Sequence, residues 1–176
     1  MRAIPDAAPQ FDAEAFLGTW YILVTNYGYW RNRVDPTVTY EPLPDRDGKR
    51  AWRDTLRFGA RSLFSQNVKP DTLTGVDVEI APGRFAWRGD GLLHIIKSPW
   101  WVLMTDPGGQ WAVTYFGRSN VGTAPGMDIY ARNPNLDDST LQGILHDVRQ
   151  HPFLKTRCNG LYATVHGALA LDRFRL

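Results

Sequence analysis

The sequence has little that would tie it to an oxidising compartment, a membrane or a polyanion. Its 176 residues include one cysteine, Cys158. No internal disulfide can form, and the chain reads as cytoplasmic. No apolar run approaches the roughly 18 residues that a membrane span needs. Residues 1–10 carry one Arg and no apolar stretch, which does not match an export signal. The formal net charge is only +2, too small to drive non-specific nucleic-acid binding. The histidines, His94, His146, His151 and His166, lack metal-ligand spacing. There is no phosphate-binding Gly loop, no Gly-x-Ser-x-Gly elbow and no Cys/His catalytic pairing. No metal and no cofactor is expected. No repeat, low-complexity tract or long linker divides the chain.

What is abundant points to β structure. Aromatic residues make up 12% of the chain, alongside 16 Gly and 12 Pro, a composition that suits short strands joined by tight turns. Strand signals recur at residues 20–27, 37–40, 51–58, 76–80, 85–88, 92–97, 100–105, 111–116 and 127–132. Asp47-Gly48, Pro82-Gly83, Asp90-Gly91, Pro107-Gly108-Gly109 and Pro125-Gly126 mark turns between them. About eight or nine such strands argue for a closed antiparallel barrel or a sandwich. Residues 11–17 predict a short helical turn capped by Asp12, with Glu14 in its first turn. A helix near 138–150 is predicted from Leu141, Ile144, Leu145 and Val148, capped by Asp137 or Asp138 and stopped by Pro152. Its single apolar stripe places it against the outside of the sheet. Residues 1–10 read as a flexible tail, 11–166 as the barrel unit and 167–176 as an extension. Residues 60–75 match no recognisable pattern.

Three local motifs, in this order along the chain, resemble the lipocalins. Phe16-Leu17-Gly18-Thr19-Trp20-Tyr21 is similar to the Gly-x-Trp segment that opens the first barrel strand. Thr105-Asp106, followed by a turn and Trp111, resembles the family's Thr-Asp-Tyr turn, with Pro107 in the Tyr place. Ile129-Tyr130-Ala131-Arg132-Asn133-Pro134 resembles the strand end whose Arg lies across the signature Trp. The stretch 111–158, with Gly117-Arg118-Ser119-Asn120 and Tyr130-Ala131-Arg132, is also similar, more loosely, to the lipocalin domain of violaxanthin de-epoxidase. The resemblance covers roughly residues 11–166. It implies an all-β fold: an eight-stranded antiparallel up-and-down barrel with a C-terminal helix packed on its outside. Gly18, Trp20 and Arg132 would form the barrel floor, since a guanidinium over an indole face contributes about 0.5–2 kcal/mol.

A barrel of this size can hold one small ligand. Strand alternation selects the wall. With Trp20 inward, Val24 and Asn26 share its face. Trp52, Asp54 and Leu56 face in because Arg53 and Arg57 prefer water. Val76, Val78 and Ile80 are expected inward, with Asp77 and Glu79 outward. Phe85 and Trp87 oppose Ala86 and Arg88. His94 shares a face with Leu92 and Ile96. Strand 100–105 is apolar on both faces, so its register stays open, and Met104 is a candidate on one of them. Tyr40, Tyr115 and Tyr130 can offer hydroxyls.

Asp54 interrupts an apolar face. A carboxylate there must be paired, placed at a solvated rim, or raised in pKa, and it could orient a ligand or exchange protons. The de-epoxidase likeness sets Asp35 near a functional Asp at the barrel mouth, although a turn-forming Asp before Pro36 explains it equally. Two functions stay open. One is a carrier or sensor for a hydrophobic or amphiphilic small molecule. The other is a cyclase, isomerase or de-epoxidase type of enzyme in the same barrel, assisted by Asp54 or Asp35. A third possibility is that bulky side chains fill the barrel. Trp30 and Trp101, if exposed, would offer a homodimer surface.

Overall fold

Runs of β-branched and aromatic residues, separated by Gly- and Pro-rich turns, pair in chain order in the computed structural model, which describes residues 6–61 and 68–167. A short helix, α1 (Ala13–Phe16), is capped by Asp12, whose side chain accepts from the Glu14 and Ala15 amides. Eight strands follow: β1 (Gly18–Thr25), β2 (Arg33–Arg46), β3 (Lys49–Arg61), β4 (Val68–Ala81), β5 (Arg84–Gly89), β6 (Lys97–Thr105), β7 (Trp111–Phe116) and β8 (Gly126–Ala131). Each pairs antiparallel with the next, and β1 pairs with both β8 and β2, so the barrel closes. Closure leaves no free edge between these strands.

The helix α2 (Asp138–Gln150) is capped by Asp137, whose Oδ1 accepts from the Thr140 amide at 2.8 Å. Its buried stripe, Leu141, Ile144, Leu145 and Val148, lies on the outer face of β1 and β6–β8. There it meets Leu23, Trp101, Leu103, Val113 and Ile129. The strands under α2 are apolar on both faces because one faces the helix and the other the barrel interior.

A last strand, β9 (Tyr162–Ala163), pairs with Val24 and Thr25 of β1. Val165 then bridges to Val34 of β2. The segment 162–166 therefore lies where β1 and β2 diverge, and its buried Thr164 and His166 bond to the Ile22 carbonyl.

Four expectations need correction. Residues 92–97 were expected as a strand, but Gly91–Leu93 is a 3-10 turn and β6 starts at Lys97. Gly91, at φ +56, turns the chain there. On β4 the inward face carries Asp77, whereas Val76 and Val78 face an outer groove and Ile80 is exposed. The reason is register: Asp77 is opposite Trp52 on one side and Trp87 on the other, both inward. Trp30 and Trp101 are buried, so neither offers a surface for a partner copy. Within residues 1–10, Ala8 is buried and its amide donates to the Val102 carbonyl at 3.0 Å. Of residues 60–75, positions 62–67 lie outside the described residues, as do 168–176.

Candidate functional site

The barrel interior divides into a packed floor and an open upper half. Gly18 and Trp20 start β1 at the floor. The Trp20 indole donates to the Phe16 carbonyl at 2.8 Å. The Arg132 guanidinium stacks over the Trp20 ring, 3.6 Å from its centroid, and donates to the carbonyls of Thr19, Ala15 and Leu17. Gly18 adopts φ +94, and a Cβ there would lie 3.4 Å from Arg132 Nη1. Above this base, Phe16 stacks on Trp52, Phe85 on Trp100, and Trp100 on Tyr40. The lower half is thus filled by side chains. Trp52 and Phe85, expected to line a cavity, face inward but belong to this plug.

Over the plug lies a cavity of about 420 Å³. Val38, Leu56 and Leu73 form an apolar wall, and Tyr40, Trp87, Trp100 and Tyr130 an aromatic one. The mouth is framed by Tyr27, Tyr29 and Trp30 on one side, and by Leu93, Ile96, Ser119 and Thr123 on the other. An apolar, aromatic concavity with few polar groups is the usual form of a small-molecule site.

The polar groups are mostly carboxyls. Asp54 is buried and accepts from the Trp87 indole at 2.9 Å. Among the described residues no Arg neutralises it, and the adjacent Arg53 pairs with Asp90 at 2.5 Å. Burial pushes its pKa up to about 6, against the pull of the Trp87 and Gly75 donors. Asp128 lines the cavity from β8, and burial raises it to about 7 despite a bond from Thr25. Its Oδ1 has no partner. Asp77 lies beneath, with its Oδ1 accepting from the Trp100 indole at 2.6 Å and its Oδ2 unpartnered. Burial and then the nearby Asp54 charge hold Asp77 well above the ordinary carboxylate range. The Tyr40 and Tyr130 phenols hydrogen-bond to each other on the cavity wall, Tyr130 also meets the Thr114 hydroxyl, and burial raises both phenols.

Of the residues singled out in the sequence, Asp54, Tyr40, Leu56, Trp87 and Tyr130 converge on this cavity. Others do not. A bulge between Ile22 and Val24 shifts the strand parity, so Val24 falls in the outer core beneath α2. Beyond the bulge Asn26 reaches the C-terminal segment, where its Nδ2 donates to the Arg157 carbonyl at 2.7 Å. A second bulge, between Val102 and Met104, moves Met104 to the outer core, where Tyr115 also lies. His94 is exposed on the 3-10 turn, its Nδ1 2.9 Å from the Gly91 carbonyl. Asp35 is outside the barrel, with φ 51, and its Oδ1 accepts from the Gly167 amide at 2.7 Å. It anchors the C-terminal segment and takes no part in the cavity. Sequence reasoning missed Asp77, Asp128 and Thr114. Asp128 carried a usable signal, an acid within the otherwise apolar run Met127 to Ala131. Among the described residues no group of His, Cys, Asp and Glu is placed to hold a metal ion, and no helix is long and apolar enough to cross a membrane.

No protein-family model matches the sequence, and no curated protein matches it either. Solved structures are similar. Lobster apocrustacyanin A1 is 16% identical over 89% of this chain and 81% of its own, with a TM-score of 0.59. Per a 4, a major cockroach allergen, is 14% identical over 93% and 94%, with a TM-score of 0.61. Insecticyanin of the tobacco hornworm Manduca sexta is 16% identical over 96% and 87%, also at 0.61. At these identities the likeness is one of fold, and the fold is lipocalin-like.

Proposed function

We propose that this lipocalin-like barrel binds one small hydrophobic or amphiphilic molecule, with a ring or conjugated system, in its upper half. The observation that carries this reading is the cavity of about 420 Å³, which lies over a rigid aromatic plug and faces one end of the barrel. Its volume suits a small organic ligand. The flat faces of Trp87, Trp100, Tyr40 and Tyr130 favour a planar guest, since aromatic pairs contribute about 0.5–1.5 kcal/mol beyond area burial. The fold shared with crustacyanin and insecticyanin supports a barrel that encloses a ligand; fold alone does not name it.

The test has two arms. Native mass spectrometry with organic extraction, on protein purified from its own host, is expected to release a lipophilic molecule unchanged. A matched pair of substrate and product would favour an enzyme in the same barrel. In the second arm, a neutral fluorescent hydrophobic probe should bind saturably at one site and be lost in Leu56→Arg. A folded protein that holds no molecule and binds no probe would overturn the reading.

A further inference from the structure

We propose that the ligand carries a positive charge: a protonated amine attached to an apolar ring or chain. This rests on the cavity being a binding site and narrows what it takes.

Among the described residues, the cavity wall contains Asp54 and Asp128 and no Lys, Arg or His. Asp77 lies directly beneath. Among the described residues, these three carboxyls share the barrel interior without a Lys, Arg or His counter-ion. Among the described residues, the cations that contact the cavity's neighbours are engaged elsewhere. Arg33 stacks on Tyr29 and Phe58, Arg31 on Tyr162, and Arg53 pairs with Asp90. The groups that face Asp128 from neighbouring elements are Thr25 of β1, Thr114 of β7, and the phenols of Tyr130 and Tyr162. None of them is a base.

An unsatisfied atom identifies what is missing. Asp128, 4% exposed, leaves Oδ1 without a donor. Thr114, 1% exposed and opposite Asp128 in the β7–β8 register, sets its hydroxyl beside the Tyr130 phenol. Both lie on the cavity wall. Buried polar atoms are nearly always paired, so the orphan Asp128 oxygen on the cavity wall marks where a ligand's polar head would go. A carboxylate oxygen lacks a donor, and an ammonium group supplies donors and charge together. A neutral lipophile supplies no charge, and an anionic one meets repulsion. The surrounding aromatic faces add to the preference, because ring quadrupoles attract cations.

The test uses 4-phenylbutylamine, 4-phenylbutanol and 4-phenylbutanoate as competitors of the neutral fluorescent probe. At about pH 7.5 the amine is expected to bind about tenfold tighter than the alcohol, with the carboxylate weakest. The advantage should shrink below about pH 5.5, where the interior acids are protonated. Calorimetry at about pH 6 in two buffers of different ionisation enthalpy should show proton release with the amine and none with the alcohol. In Asp128→Asn the alcohol-to-amine ratio of Kd should fall toward one. Asp54→Asn serves if that variant fails to fold, and the proton-release measurement needs no variant. Probe binding with an alcohol or carboxylate that matches the amine would overturn the charge assignment while leaving ligand binding intact. Absence of probe binding would overturn both.

Discussion

Asp128 is a carboxyl in an apolar wall, and its burial has a thermodynamic signature. An acid whose folded pKa is about 7, against about 3.9 when unfolded, holds its proton more tightly in the folded state. Asp54, raised to about 6, behaves the same way. The folded state therefore binds more protons than the unfolded state between about pH 4 and 7, and stability falls as pH rises through that window. Thermal melts of the wild type should show a falling Tm from about pH 4.5 to 7.5, and Asp128→Asn should flatten that slope. An unchanged slope would mean that Asp128 is already neutralised in the fold. Gly75 gives a second residue-level prediction. A Cβ there would lie 2.2 Å from Trp87 Nε1 and 2.8 Å from Asp54 Oδ1. Gly75→Ala must displace the indole from Asp54, and the Trp87 contribution to fluorescence should shift. At the floor, Arg132→Met loses a stacked cation and three carbonyl bonds. Urea unfolding should show a loss of about 2 kcal/mol or more.

At the scale of elements, α2 acts as the outer wall of the second core. Leu141 is fully buried at its centre, so Leu141→Ala should cost about 2–5 kcal/mol by calorimetry or urea unfolding. The same scale shows how far a sequence can be read. The α2 stripe, its Asp137 cap and the Trp20–Arg132 pair were legible because each depends on local spacing or on one motif. Inward residues of β3 and β5 were legible because Arg53, Arg57 and Arg88 marked the wet face. The rest failed for two physical reasons. Bulges on β1 and β6 change strand parity by one residue, and no residue type announces them, so alternation assigns Val24 and Asn26 to the wrong face and leaves the face of Met104 open. On β4, a buried Asp at 77 inverted the expected polarity, because alternation assumes that the charged residue seeks water. His94 was misread because Leu92 and Ile96 give a strand-like alternation to what is a turn. Leu92 is in fact 95% exposed.

For the whole molecule, the two cores divide the work. The outer core under α2 and the aromatic floor hold the barrel rigid, while the upper half stays open above them. Ligand should therefore stabilise the mouth more than the floor. Hydrogen exchange with and without the neutral probe should slow amides of residues 91–96 and 117–123 and leave those of α2 unchanged; uniform protection would point to a global effect instead. The segment 162–166 has a further consequence, and it concerns time. On the ribosome β1 is made first, yet the Thr164 hydroxyl that bonds the Ile22 carbonyl comes 142 residues later. Until β8 is made, the edge of β1 that it will cover exposes bare amides and carbonyls, and the stretch at Ile22–Thr25 stays uncovered on its other side until residues 162–166 arrive. Such edges invite pairing with neighbouring nascent chains. The barrel cannot become a closed object vectorially, so its yield in a cell should depend on chaperone supply and synthesis rate more than on its final stability.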